Sequence, residues 1–438
     1  MKQHRKDRYN TSGRILGLHT ATLLVIANMI GTGLFTTTGF LIRDLQQPLA
    51  VLIAWFIGGI IALCGALTYG KLGADMPRSG GEYHYLSELF HPAAGFIAGW
   101  VSLVVGFSAP IAAVAVAFSN YLAGVIDGLP IILMAISAVV IISLIHIWSV
   151  STGAKIQNVI TILKVVLIAS LVIAGFWVQK EKTWTLNAHG FEWESIFNSA
   201  FAAGLIFVMY AYSGWNAASY VAGEMKKPAK NLPLALLAGT VIVILVYLAV
   251  NYFFLSSVET SEIEGKVEVA HFVAVSVFGS NAGKLLSLAV ALFLLSSLSS
   301  MIMAGPRVYK VMGEDFKIFQ MLARTTKAGA PFVAIILQMI IAVFMIVTFT
   351  FETILIYVGF TLSLMAGLTV AGIFMHNRKK GSEMSIYKIP LYPVTPIIFL
   401  IAMSWMIIHT LMEKPLASLF GIVTLLIGYL LYRISKNN

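Results

Sequence analysis

"VIANMIGTGLF", residues 25–35, lies midway along an apolar stretch and contains the run Gly31, Thr32, Gly33. Glycine and β-branched threonine are poor helix formers, so a segment that otherwise reads as a membrane helix places its weakest residues at mid-depth. That matters only if the segment spans a bilayer, and composition decides the point. Hydrophobic residues are 59% of the 438 and charged residues 11%. Uncharged runs at or above the ~18 residues that cross the hydrocarbon core recur along the whole length. The pattern predicts an all-α polytopic membrane protein with twelve spans, at 15–43, 47–74, 92–125, 130–148, 156–178, 198–221, 232–257, 272–304, 331–350, 353–376, 391–411 and 415–433.

The formal charge of +10 is compatible with either nucleic acid or a membrane surface, and its distribution separates the two. With the N-terminus inside, inner loops and tails hold 22 of the 29 Lys and Arg, outer loops hold six, and Lys164 lies within a span. Acids lean the other way, 11 outside and 8 inside. The bias is positive-inside, so the basic balance reports orientation in a cell (inner or plasma) membrane with both termini cytoplasmic, and no nucleic acid partner is expected. The first span follows a charged tail, exceeds signal-peptide length and lacks a convincing cleavage site, so it is expected to remain in the mature chain. The sole cysteine, Cys64, falls inside span 2, which leaves no internal disulfide.

The expected organisation is a tail over 1–14, a first unit over 15–178 containing spans 1–5, a second over 198–376 containing spans 6–10, spans 11 and 12 over 391–433, and a tail over 434–438. The outer connections 179–197 and 258–270 are short, and the inner segment 305–330 reads as a helix extension plus a loop. With so little chain outside the bilayer, function must sit among the helices, at places that break the intramembrane rules.

Two spans break them alike. Span 1 has Gly31-Thr32-Gly33, and span 6 has "YAYSGWNAASY" (210–220), where Ser213-Gly214 again falls near mid-span. Interrupted segments at corresponding positions in two halves point to a transporter binding site, because unwinding frees amides and carbonyls at the midplane. The alternative is that small residues simply let helices approach closely. Positions 1 and 6 in the span order favour the first reading, since a five-span unit repeated once is inverted in its second copy. Spans 11 and 12 then lie outside the repeat.

"IGTGLF" (30–35), "PRSGGEYHYL" (77–86) and "YAYSGWNAASYVAGEMKKPAKNLP" (210–233) resemble the signature segments of the amino acid–polyamine–organocation superfamily, specifically a prokaryotic member of its L-type amino acid transporter branch. The resemblance covers spans 1 to 10 in order and spacing. It implies a leucine-transporter-like fold, with a 5+5 inverted repeat, broken helices 1 and 6, two extra helices and alternating access.

The chemistry of the gap agrees. A free amino acid carries a carboxylate and an ammonium that are costly to dehydrate unless hydrogen-bonded. Amides around Thr32, Gly33 and Leu34 open a helix N-terminus that attracts an anion. Carbonyls of Met29 and Ile30 before the break, and of Tyr210, Ala211 and Ser213 in span 6, can accept from the ammonium. Glycines 31, 33 and 214 are expected where a side chain would block approach to the backbone.

Lys164 is ten residues into span 5 if the helix starts near Ala154, about 15 Å deep at 1.5 Å per residue, too far to snorkel. The resemblance implies a built-in replacement for sodium, touching span 1 and near Ser299 and Ser300 in "LLSSLSSMIMAG". The alternative is a structural cation with no transport role. No Asp or Glu falls in the middle of any span, which favours neutral side chains on the substrate. Tyr210, by resemblance an aromatic gate, is equally open to a packing role. Trp215 and Asn216 match pocket- or gate-lining positions, with helix packing the alternative for Trp215.

His146, His271, His376 and His409 lack the spacing of a metal site, and Gly80-Gly81 lacks the strand-to-helix context of a phosphate cradle. No metal or other cofactor is expected. Glu224 and Lys226 match the family motif and are candidates for a latch with Arg78 or Lys71, or a solvated charge run. The animal branch joins a single-span glycoprotein through an outer-loop cysteine between spans 3 and 4. Here that loop, "GVIDGLP" (124–130), has none, so no disulfide-linked heavy chain is expected.

The leading expectation is a sodium-independent transporter of neutral L-amino acids working by exchange. Proton-coupled symport and transport of amines on the same fold are the alternatives, and the latter needs an acid in the pocket. An enzyme requires a catalytic cluster that the spans do not supply. A membrane amino-acid sensor would normally carry a soluble output module.

Overall fold

The computed structural model describes residues 14, 16–148, 153–178, 191–327, 329–380 and 387–437. The tail over 1–13 and most of the 179–197 connection lie outside the described residues. Among those residues the secondary structure is helical, without a strand. The spans are: 1, Leu18–Met29 and Thr32–Leu45; 2, Pro48–Asp75; 3, Pro92–Ala123; 4, Ile131–Trp148; 5, Gly153–Val178; 6, Ser199–Tyr212 followed by a 3-10 segment, Ala217–Glu224; 7, Pro228–Ser257; 8, Ser280–Asp315; 9, Phe332–Thr348; 10, Phe351–Lys380; 11, Val394–Glu413; and 12, Pro415–Asn437. Pro48, Pro92, Pro228 and Pro415 each open a helix, where the missing N–H costs nothing and the fixed φ suits the first turn.

The main boundary difference is in span 8, expected over 272–304. Val269–Phe278 is a separate helix, and the chain turns at Gly279, whose φ of +88° suits glycine. The following helix runs continuously to Asp315. The local sequence carried the signal, Gly279-Ser280-Asn281-Ala282-Gly283-Lys284, and the expected span ran across it. Span 3 contains a π-helical turn, Ser102–Ser108, in which Ser108 Oγ donates to the Leu103 carbonyl at 2.7 Å.

Spans 1 and 6 are broken, and their contacts show how they pass. A Cβ on Gly33 would lie 2.4 Å from Ala211 Cα, and one on Gly214 would lie 2.8 Å from the Asn28 carbonyl oxygen. Further along, the Phe40 and Phe207 rings stack with centroids 5.6 Å apart. Residue numbers rise on one span as they fall on the other, so the two run antiparallel and cross at their breaks, as an inverted repeat requires. Spans 2 and 7, 3 and 8, and 4 and 9 also pack as pairs, each partner five spans on.

Lipid tails are as apolar as leucine, so close packing rather than water exclusion holds such helices together. Span 2 shows how. A Cβ on Gly58 would meet Val208 at 2.3 Å, one on Gly65 Trp215 at 2.7 Å, and one on Gly73 Leu232 at 2.1 Å. This glycine stripe lets span 2 lie against spans 6 and 7 and fixes the wall on which the broken segments rest.

Candidate functional site

A cavity of about 450 Å³ lies at the level of the two breaks. Met29, Gly31, Thr32, Gly33, Tyr210, Ala211, Ser213, Gly214, Trp215 and Asn216, all among the residues singled out in the sequence, line it. Ile30 and Leu34 do not; both are fully buried behind the wall. The cavity continues toward the end of the bundle that carries Gly80, where exposed Arg78, Glu224 and Arg307 border it. The opposite end carries Arg43.

The second helix of span 1 begins at Thr32, with Gly31 as its N-cap. Its first amides have no partner within the helix, and they begin on the cavity wall. The glycines there divide the work differently from the expectation. Gly33 faces Ala211 rather than a ligand, so its missing side chain serves the helix crossing. Gly31 is the open position: a Cβ there would meet nothing in the protein closer than the Met29 carbonyl oxygen at 4.0 Å. Gly214 combines a φ of +96° with the contact on Asn28.

The freed carbonyls are partly engaged. Tyr247 Oη, from span 7, donates to the Met29 carbonyl and approaches the Ala211 carbonyl at 3.0 Å, tying the two breaks together. The Tyr210 carbonyl accepts from the Ser213 amide at 3.0 Å. A carbonyl has two lone pairs, so Met29 and Ala211 retain acceptor capacity. Nothing in the sequence marked Tyr247, one of sixteen tyrosines. The same holds for Asn251 one turn on, which accepts from Thr38 Oγ1.

On the Arg43 side the site is covered. Thr32 Oγ1 and Tyr210 Oη are hydrogen-bonded at 2.7 Å, which gives the threonine between the glycines a partner. Above them Phe40 stacks on Phe207 and Phe351, and the Gly265 amide donates to the Gly39 carbonyl at 2.8 Å. Arg43 donates to both oxygens of Glu352, at 2.8 and 2.9 Å, and Lys414 donates to Glu352 Oε1 at 3.1 Å. The end of span 1 is thereby fastened to the start of span 10 and the turn before span 12.

Trp215 is buried, edge-on to Tyr69 at 4.7 Å and to Phe399 at 6.2 Å. It both lines the cavity and packs spans 2 and 11. Asn216 Nδ2 donates to Glu82 Oε1 at 3.1 Å, and Tyr69 Oη donates to the same oxygen at 2.7 Å. Glu82 opens the short helix Glu82–Leu89 between spans 2 and 3, and it lines the cavity while only 5% exposed. Burial pushes its pKa up to about 7 against the opposing bonds from Tyr69 and Asn216. The expectation of a pocket without an acid is corrected here. No span places a carboxylate mid-membrane, but the loop helix folds one back into the wall.

Lys164 is 3% exposed and donates to Ser297 Oγ at 2.6 Å. The expected partners, Ser299 and Ser300, are used otherwise: Ser299 Oγ bonds His146 Nε2 at 2.8 Å, and Ser300 Oγ donates to the Ser296 carbonyl at 3.0 Å. Successive helical residues are turned by about 100°, so serines at 296, 297, 299 and 300 point around the helix, and the position of span 5 selects Ser297. Among the described residues no hydrogen bond links Lys164 to span 1.

The suggested latch of Glu224 with Arg78 or Lys71 is not formed among the described residues. Lys71 instead pairs with Asp75 at 3.1 Å, as does His376 at 2.8 Å. Backbone bonds fasten the segment: Leu16 N to Glu224 O at 3.0 Å, Lys226 N to Leu16 O at 2.8 Å and Gly80 N to Tyr220 O at 3.1 Å. His271 and His409 bond Ser287 and Ser199. Among the described residues no group of His, Cys, Asp and Glu is placed to hold a metal ion.

Comparison with known proteins gives a family match. The model of the family described as amino acid permease matches residues 16–430. The chain is similar to the serine/threonine exchanger SteT of Bacillus subtilis (strain 168), 29% identical over 430 residues, covering 95% of each chain. It is also similar to the large neutral amino acids transporter small subunit 2 of Homo sapiens, 27% identical over 95% of this chain and 79% of that one. A third relative is the b(0,+)-type amino acid transporter 1 of Mus musculus, 26% identical over 95% and 87%.

Proposed function

The chain belongs to the amino acid permease family, and on that premise we propose that it exchanges neutral L-amino acids across the cell membrane by alternating access, without sodium. The observation that carries this reading is the crossing of two broken helices on the wall of one cavity, with an unpaired helix N-terminus and spare carbonyl capacity side by side. A zwitterion needs both, since its carboxylate seeks N–H donors and its ammonium seeks oxygens. The substrate carboxylate sits over Gly31 at the amides of Thr32 and Gly33. The ammonium faces the carbonyls of Met29 and Ala211 beside Ser213.

The cavity wall near the breaks includes Gly106, Phe107, Pro110, Ala304 and Leu362, a mainly apolar surface suited to an uncharged side chain. The relatives named for serine/threonine exchange and for large neutral amino acids agree with that class. Lys164, bonded to Ser297 across spans 5 and 8, supplies a fixed positive charge where a bound cation would otherwise brace those helices. The positive-inside bias makes the Gly80 end cytoplasmic, so this conformation is closed outside by Thr32, Tyr210 and the Arg43 cluster and open inside.

Proteoliposomes preloaded with single L-amino acids and assayed for counterflow test the reading. Accumulation driven by neutral amino acids, equal with and without sodium, is expected. Failure of every neutral amino acid to drive counterflow would refute it. Counterflow confined to lysine, arginine or amines would transfer the assignment to cationic substrates, with Glu82 as their counter-charge.

A further inference from the structure

Glu82 is the one buried carboxylate on the cavity wall among the described residues, and nothing in amino acid recognition as derived above uses it. Its position is mechanical. Oε1 is shared by Tyr69 on span 2 and Asn216, two residues beyond the Gly214 turn in span 6. The carboxylate thus clips the inner segment of span 6 to a span that the glycine stripe holds in place. Alternating access requires relative motion of such segments, and motion of Asn216 away from Tyr69 removes one of two donors from a buried negative charge.

The remaining groups around it do not neutralise that charge. His84 and Tyr85 lie on its own helix, their rings tilted together at 5.9 Å, and Tyr220 faces it from the 3-10 segment. Arg78, Glu224 and Arg307 line the same cavity but are exposed. The two hydrogen bonds that reach Glu82 come from the neutral groups of Tyr69 and Asn216. In the same interface Tyr85 Oη and Ser219 Oγ are buried facing each other and make no bond to the carboxylate. A buried carboxylate with only neutral donors loses stability in its charged form when a donor leaves.

We propose that Glu82 is a proton-binding site on the cavity wall: its carboxylate takes a proton from cavity water when Asn216 withdraws and returns it when Asn216 re-engages, which links protonation to the step that closes the Gly80 end. This rests on the transport reading above. In the conformation described, burial pushes the carboxyl pKa up to about 7 while the bonds from Tyr69 and Asn216 oppose it. Loss of Asn216 raises that midpoint and draws the proton in.

Two measurements test this, one of them independent of transport. Infrared difference spectra of the purified protein between about pH 5.5 and 8.5 are expected to show the C=O band of a protonated buried carboxyl that titrates near neutrality and is missing from Glu82→Gln. In proteoliposomes, the exchange rate of L-threonine is expected to change with pH on the Gly80 side in the wild type and to lose that dependence in Glu82→Gln. Tyr69→Phe removes a donor to the charged form, so it should move both midpoints upward by about one pH unit. A band unchanged in Glu82→Gln, or a midpoint unmoved in Tyr69→Phe, would overturn the proposal, and the second result decides even if Glu82→Gln does not fold. Absence of exchange by the wild type with the band present would instead count against the transport reading alone.

Discussion

Gly31 and Gly33 separate ligand binding from helix packing, and paired alanine substitutions read the difference. At Gly31 the new methyl meets open cavity, with the nearest protein atom 4.0 Å away, and the backbone φ of −129° is negative. Stability should change by less than about 0.5 kcal/mol, as at other unstrained positions. The methyl, however, takes the place assigned to the substrate carboxylate. Displacing that group from one charge-assisted hydrogen bond costs about 1.5–3 kcal/mol, or roughly 10- to 150-fold in affinity at 1.4 kcal/mol per decade. At Gly33 the methyl lies 2.4 Å from both Ala211 Cα and Cβ, so two backbones must separate, an overpacking cost of about 1–3 kcal/mol in stability. Counterflow affinity and thermal unfolding in detergent, measured on both variants, are the assays. Gly31→Ala should lose affinity with its melting temperature intact, and Gly33→Ala should lose stability. Unchanged affinity in Gly31→Ala would refute the placement of the carboxylate.

Removing the hydroxyl that joins the two breaks, Tyr247→Phe, deprives the buried Met29 and Ala211 carbonyls of their shared donor. A loss of about 1–3 kcal/mol in unfolding free energy is expected, read by thermal or denaturant unfolding. Ser297→Ala removes the acceptor that Lys164 uses and should slow exchange by about tenfold, whereas Ser299→Ala should leave the rate near wild type in the same counterflow assay. Glu352→Gln weakens the cluster of Arg43 and Lys414. These side chains are about a quarter to a third exposed, so only about 1 kcal/mol is at stake, and hydrogen exchange of amides 32–45 should rise about fivefold. For Glu82 the linkage sign follows from a pKa raised from 4.5 to about 7. The native state holds a proton that the unfolded chain has released, so stability falls as pH rises from about 4.5 to about 7 and stays low above. Unfolding midpoints of the wild type and Glu82→Gln should therefore diverge as pH rises through that window.

The sequence by itself determined the membrane class, the span order and the two breaks. Long apolar runs, Gly31-Thr32-Gly33 and Ser213-Gly214 are local signals, and a bilayer forces their reading because it leaves backbone polar groups no water to bond. It also determined that Lys164 must find partners inside the bundle. Tertiary structure decided which partners. Four serines on one helix are indistinguishable until span 5 takes its place beside Ser297, and Gly31 and Gly33 look alike until Ala211 lies against one of them. Tyr247, and the role of Glu82 within the quoted 77–86 segment, could not be read for the same reason: Tyr247 meets Met29 and Ala211, and Glu82 meets Asn216, across distant segments, and such a contact leaves no periodicity to read. Gly279 shows the converse, a turn that the local run Gly279-Ser280-Asn281 signals and that the length of the flanking apolar segments overrode in the expected span. Composition records what each residue costs in lipid, whereas the pairing of polar groups across helices depends on geometry that exists only once the bundle has closed.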